Sequence, residues 1–260
     1  MCLIAVAWKT HADFPLALAA NRDEFHDRPA AAATWWNGKH EIFGGRDLSH
    51  GGSWLAFSRR GRLAAITNIR RMIPPDPSAP SRGGLVREFV QSALTAEQYV
   101  EEISQRVQVY AGFNLLLYDG AQLVFCHNMN AFEHRVLEPG IHVVSNATID
   151  TPWPKSQRLR RAMQAFVNQR VASRNLLFSA LADAEEAKDD ELPNTGVGIE
   201  MERFLSPPFI RGDRYGTRAS SVVTVSTEGL AEIVEHRFGP GGTFTGESRE
   251  NIQIIDGSLH

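Results

Sequence analysis

Covalent chemistry in this chain would begin at its start. Cys2 follows Met1 directly, and an initiator methionine is normally trimmed before a small second residue, which would leave a cysteine carrying its own free α-amine. Such an amine titrates at about 7.7–8.0, so near neutral pH it can take the thiol proton and no histidine is required as base. The same residue also reads as a small apolar side chain opening a strand. A second candidate is Asn21-Arg22-Asp23-Glu24, four polar residues directly after the apolar stretch 15–20. An Arg beside a thiol favours thiolate and a carboxylate can orient an α-amine, although a charged segment of this kind also reads as a solvated turn. Asn68, Asn146 and Arg218 stand at the ends of strand-like runs. Carboxamides are among the donors that stabilise a tetrahedral oxyanion, while strand-end asparagines also form turns.

A terminal nucleophile works only if the terminus is held. The apolar run from residue 3 to Trp8 begins at once and reads as a strand, which pins Cys2 at a sheet end. Further strands are expected at 15–20, 54–58 and 63–67, separated by Gly-rich turns at 44–45, 51–52 and 61. Helical spacing follows at Leu85, Val86, Phe89, Val90 and Leu94, and Thr95 with Gln98 has the form of a capping box before a second helix. A hairpin turned by Asp119-Gly120 is expected over 113–118 and 122–127, and a strand at 141–145. Helices are expected from about 155 to 171 and around 176–181. Strands at 219–226, 230–237 and 250–255 complete the order β, αα, β, αα, β. Antiparallel runs interleaved with helix pairs imply an α+β layered arrangement rather than a doubly wound parallel sheet. No linker divides the chain, so 1–260 is read as one domain.

Composition narrows the partners. The 260 residues are 43% hydrophobic and 22% charged, with 27 Lys+Arg against 30 Asp+Glu for a formal charge of −3, so no field favours nucleic acid. Two cysteines make no disulfide framework and point to the reducing cytoplasm. No run is long enough for a transmembrane segment. No His-Glu-x-x-His, Walker A, GxSxG or Cys-x-x-Cys-His sequence is present, so no metal and no bound cofactor is expected, and haem enters only as a carried ligand. Cys126 reads as buried packing. Lys155, Arg158, Arg160, Arg161, Arg170 and Arg174 form a basic stripe, read as the solvated side of a packed helix balanced by the acidic run 182–191; a phosphate or membrane surface is its alternative. Trp35-Trp36, in a loop-like stretch, caps a core or lines an apolar site.

Taken together, Met1-Cys2, Asn21-Arg-Asp-Glu24, Gly44-Gly-Arg-Asp47, Gly51-Gly-Ser-Trp54, Thr67-Asn68, Gly112-Phe-Asn-Leu115, Ser145-Asn146, Pro152-Trp-Pro-Lys155 and Tyr215-Gly-Thr-Arg218 resemble the NRDE family, also called transport-and-Golgi-organization-two-like. The match runs from residue 1 to about 255. That family is related to N-terminal-nucleophile hydrolases of the choloylglycine hydrolase and penicillin V acylase type. The resemblance implies a four-layer αββα sandwich with two antiparallel sheets. It also implies a site of Cys2, Arg22, Asp23, Asn68, Asn146 and Arg218, with Glu24 and Trp54 facing substrate. In those hydrolases the Arg and Asp are separated by two residues, whereas here Arg22 and Asp23 are adjacent and Glu24 follows, so Asp23 and Glu24 both stand as the supporting carboxylate. Two functions follow as expectations: an amidohydrolase of a linear, non-peptide amide, active after removal of Met1, or a non-catalytic carrier of haem, acyl-CoA or another amphipathic ligand.

Overall fold

The computed structural model describes residues 2–37, 41–70, 76, 78–169 and 173–255. From the N-terminus come β1 (Cys2–Trp8), β2 (Leu16–Phe25), β3 (Ala30–Trp35), β4 (Ile42–Asp47), β5 (Leu55–Ser58) and β6 (Leu63–Asn68), then helices α1 (Gly83–Gln91) and α2 (Ala96–Ser104). Next are β7 (Phe113–Tyr118), β8 (Leu123–His127), β9 (Glu133–Val136) and β10 (Gly140–Val144), helices α3 (Pro154–Val167), α4 (Arg174–Leu181) and α5 (Ile199–Phe204), and finally β11 (Tyr215–Val225), β12 (Leu230–Phe238) and β13 (Phe244–Gln253).

These strands make two antiparallel sheets. One has six strands in the order β10-β1-β2-β11-β12-β13, the other seven in the order β3-β4-β5-β6-β7-β8-β9. The period of two along β1 shows how the layers stack. Ile4, Val6 and Trp8 point between the sheets with Leu16, Leu18, Phe57, Leu63, Leu116 and Phe125, whereas Leu3, Ala5 and Ala7 pack outward against Leu159, Met163 and Phe166 of α3 and Leu177 and Leu181 of α4. On the far side Leu85, Val86 and Phe89 of α1 and Tyr99, Val100 and Ile103 of α2 cover Ala64, Leu115 and Leu117 of the second sheet. The result is the expected four-layer αββα sandwich. The capping box of α2 is formed, Thr95 accepting from the Gln98 amide while the Gln98 side chain accepts from the Thr95 amide.

Several local expectations are corrected. β2 does not stop at residue 20 but carries Asn21-Arg22-Asp23-Glu24 within it, because these polar groups find partners inside the fold. The Asn21 carboxamide donates to the carbonyls of Leu181 and Pro208 at 2.7 and 2.8 Å and accepts from the Ser220 hydroxyl at 2.6 Å. Gly44 and Gly45 form no turn; they lie in β4, where close neighbours replace the side chains they lack. Trp35 ends β3 and packs on the inter-sheet core, while Trp36 packs on the α1/α2 side. β9 is an edge strand whose residues are all exposed, and α5 spans six residues; neither carries enough apolar periodicity to announce itself. Arg218 sits inside β11, where the register with β2 shifts between Thr217 and Ala219. Of the basic stripe, Arg158 bonds Asp183 and Glu185 of the acidic run, Lys155 is buried, and Arg170 lies outside the described residues. Cys126 is fully buried, as expected. Among the described residues no helix is long and apolar enough to cross a membrane.

Candidate functional site

The antiparallel register of β1 and β2 sets Cys2 opposite Arg22. Both side chains share the face of Ile4 and Ala20, so they enter the gap between the sheets at its open end, where Trp54, Ile66 and Asn68 of the second sheet approach. The Arg22 guanidinium lies 4.3 Å from the centre of the Trp54 ring, a cation–π contact that holds it desolvated beside the sulfur. Burial pushes the Cys2 thiol up and Asp23 pushes the same way, while Arg22 and a hydrogen bond from the Asp23 amide pull it down. The Cys2 carbonyl accepts from the Ser145 hydroxyl at 3.0 Å, which ties the start of β1 to the segment after β10.

Trp54 keeps its place through a glycine. A Cβ built on Gly45 would fall 2.2 Å from the Trp54 ring, so the ring occupies the space a side chain there would need. Ser53 fixes the adjoining backbone, donating to the carbonyls of Gly45 and Leu55 at 2.8 and 2.7 Å.

Alternation along β2 sends Asp23 to the other face, toward the α3/α4 layer. Its carboxylate is 1% exposed and accepts from the Thr217 hydroxyl at 2.7 Å. Burial pushes this carboxyl up, and Lys155, the Thr217 hydroxyl and Arg22 pull it back. Glu24 is half-buried, accepts from the Phe25 amide at 2.9 Å and approaches Arg28. Of the two carboxylates left open by the sequence, Asp23 is the buried one whose charge reaches the sulfur, and Glu24 lines the cavity beyond.

The predicted asparagines divide. Asn68 lines the cleft with Cys2, Arg22, Trp54, Ser81 and Arg82, a space of about 100 Å³. Asn146 is not on that wall. It is buried, accepts from the Ser145 hydroxyl and donates to the Asn68 carbonyl at 2.8 Å. Nearby, the Thr67 hydroxyl and the Asn114 carboxamide both donate to the Ser145 carbonyl, at 2.5 and 3.2 Å. These bonds lace the end of β6 in one sheet to the segment following β10 in the other. Arg218 is also off the wall, donating to the carbonyls of Phe25 and Arg28 at 2.8 Å each and so fixing the turn after β2.

The cleft wall also carries a cation that is not among the site candidates read from the sequence. Arg82 precedes α1 after a proline-rich stretch that reads as an ordinary loop, yet it lines both the Cys2 cleft and a larger adjoining pocket, and donates to the Gly112 carbonyl at 3.0 Å. Burial lowers its basicity while Cys2 and Glu24 act to raise it. Lys155, which the sequence places in the basic stripe, is buried in the first turn of α3 instead. The larger pocket encloses about 1020 Å³ and shares Glu24, Asn68 and Arg82 with the cleft; Phe25, Ile69, Tyr110, Phe204, Leu205 and Tyr215 supply apolar wall. Among the described residues no group of three or more His, Cys, Asp or Glu is placed to hold a metal ion.

Comparison with known proteins bears on the family and the fold. The family model described as "Transport and Golgi organisation 2" matches residues 1–240. The "Transport and Golgi organization protein 2 homolog" of Bos taurus is 32% identical over 240 residues, and the "Transport and Golgi organization 2 homolog" of Mus musculus 31% over 238, each covering 85% of this chain and 86% of the relative. Among solved structures, the Caenorhabditis elegans N-acylethanolamine-hydrolyzing acid amidase ortholog superposes with a TM-score of 0.52 at 10% identity, covering 85% of this chain and 92% of that one. At that identity the likeness is one of fold, the four-layer αββα sandwich.

Proposed function

The chain belongs to the Transport and Golgi organisation 2 family, and from that premise we propose that it is an N-terminal-cysteine amidohydrolase acting on a linear amide with an extended apolar part. One observation carries the reading: the Cys2 thiol, with Arg22, Asn68 and Arg82, lines a cleft that shares walls with a pocket of about 1020 Å³, a volume at the upper end of ordinary small-molecule sites.

Removal of Met1, which lies outside the described residues, is part of the proposal. The freed Cys2 amine takes the thiol proton, and Sγ attacks the amide carbonyl carbon to form a C–S bond. Asn68 and Arg82, on the cleft wall, stabilise the charge that develops on oxygen. Collapse breaks the C–N bond, the protonated amine gives its proton to the departing nitrogen, and a thioester remains. Water, losing a proton to the same amine, releases the acid and restores the thiol. Asp23 orients the amine; Arg22 favours thiolate; Asn146 and Arg218 position the Asn68 end of β6 and the turn after β2.

The test pairs intact mass with turnover. The expected native mass lacks Met1, one equivalent of a cysteine-directed acylating probe lands on Cys2, and hydrolysis of N-acyl amides disappears in Cys2→Ala. Retained Met1 together with unchanged hydrolysis in Cys2→Ala would overturn the reading.

The pocket's volume and apolar wall also favour a second reading, carriage of haem, acyl-CoA or another amphipathic ligand without catalysis. Its signature is saturable binding of haem or acyl-CoA that survives Cys2→Ala while no amide in a broad panel is hydrolysed.

A further inference from the structure

Behind the strand of the proposed nucleophile lies a set of buried charges of which the proposed chemistry uses only Asp23. Lys155, in the first turn of α3, is 2% exposed, and its ammonium donates to the Leu205 carbonyl at 3.2 Å. An ammonium so enclosed costs several kcal/mol unless a carboxylate answers it. Two buried carboxylates are near. Glu202 of α5 is engaged elsewhere: it pairs with Arg70 at 2.6 Å and accepts from the amide and hydroxyl of Thr195 at 2.7 and 2.5 Å. Asp23 is on the face of β2 turned toward the helix layer that α3 belongs to, accepts from Thr217 of β11 at 2.7 Å, and lies one position along the strand from the residue opposite Cys2; its charge and that of Lys155 act on each other.

We propose that Lys155 is a positioning residue: it answers Asp23 through the floor of the site and keeps that carboxylate ionised directly behind Cys2. The inference rests on the reading of Cys2 as nucleophile, since an ionised Asp23 is what would hold the terminal amine in place. The electrostatics agree with the geometry, because burial brings the Lys155 ammonium down to about 8 while Asp23, Cys2 and Glu202 act to raise it and Arg70 to lower it. The charged and titratable groups around the pair are Cys2 of β1, Arg22 and Glu24 of β2, Arg70 after β6, Glu202 of α5 and Tyr215 of β11, whose hydroxyl burial and the charges of Asp23 and Cys2 keep protonated.

The readout is the pH dependence of Cys2 alkylation in the full-length protein, with Cys126 as the internal control for folding. An ionised Asp23 raises the thiol's midpoint, so Asp23→Asn lowers it, by about one unit for a charge this close. If Lys155 acts through Asp23, Lys155→Met leaves a buried carboxyl that protonates instead, so the midpoint falls in the same direction and the double variant falls no further. A Lys155→Met midpoint that rises or stays put while Asp23→Asn falls, or fully additive shifts, overturns the proposal. Carbon-13 titration of the Asp23 carboxyl in the unsubstituted protein needs no variant to fold: an ionised group at neutral pH is expected, and a protonated one also overturns it. Failure of the hydrolase reading looks different, as an absence of amide turnover with this titration pattern intact.

Discussion

Cys2 and Cys126 hold the same sulfur in two unlike settings. Cys126 is enclosed in apolar packing that raises its thiol far beyond any useful range, with no opposing charge, whereas Cys2 has Arg22 and the Asp23 amide working against its burial. A small alkylating reagent at neutral pH should therefore label Cys2 at least about a hundredfold faster than Cys126, the thiolate being the reactive form; equal rates measured by peptide mass spectrometry would remove Cys2 from the chemistry. Arg82→Gln leaves a shorter, neutral amide at the junction of cleft and pocket and removes the charge. If it stabilises an oxyanion, kcat should fall by about 10²–10³ with KM nearly unchanged, a split that steady-state kinetics on an N-acyl amide would show. Gly45→Ala tests the site indirectly. The added methyl must displace the Trp54 ring and with it the support of Arg22, so about 1–3 kcal/mol of stability should be lost, read by denaturant unfolding.

Between β10 and α3 a clasp of charged groups shapes the segment that carries Asn146. Asp150 adopts a left-handed φ of 64°, accepts from the Val143 amide at 2.9 Å and from the His142 ring at 3.0 Å, and is bonded by Arg160. Although burial opposes ionisation, the bonds from His142, Val143 and Arg160 hold the Asp150 carboxyl at about 2. The same bond raises His142, against burial and the neighbouring Arg135. The signs give a window. The Asp150 contribution is full above its unfolded value of about 3.9 and lost as pH falls toward the folded one, whereas the His142 contribution is full below about 6.5 and lost as pH rises through its raised value. The melting temperature of the parent protein minus that of Asp150→Asn should thus be largest between about pH 4 and 6.5 and shrink on both sides. A difference independent of pH, measured by calorimetry across that range, would mean the clasp holds by packing alone.

At the scale of the whole molecule, the site exists because the two sheets end together. β1 and β2 supply Cys2 and Arg22, the residue before β5 and the end of β6 supply Trp54 and Asn68 opposite, and the 108–112 connection with α5 lines the large pocket. Ala111 lies on that pocket's wall, so Ala111→Phe fills space without touching Cys2. Affinity for long-acyl ligands should drop by about tenfold or more while Cys2 alkylation stays as it was; an unchanged isotherm would show that the acyl part binds elsewhere. How the sequence foretold this arrangement depends on the range of the forces involved. Periodic burial is written locally, so β1, the β7–β8 hairpin, α2 with its Thr95–Gln98 cap and the layered order could be read directly from it. So could the positions of Cys2 and Asn68, where β1 begins and β6 ends, whereas Arg22 lies within a strand that runs past its expected end. What local pattern could not supply was decided by partners far along the chain. Asn21 and Asp23 remain in a strand because Leu181, Pro208 and Thr217 satisfy them, β4 runs through two glycines because Leu55 and Trp54 press against it, and Asn146 serves Asn68 rather than the cavity because a bond crosses between sheets. Lys155 and Arg82 are the clearest cases. A cation in a basic run and another at the end of a loop have ordinary solvated roles in any window of sequence, and only the closure of four layers buries Lys155 and brings Arg82 to the cleft that Cys2 lines.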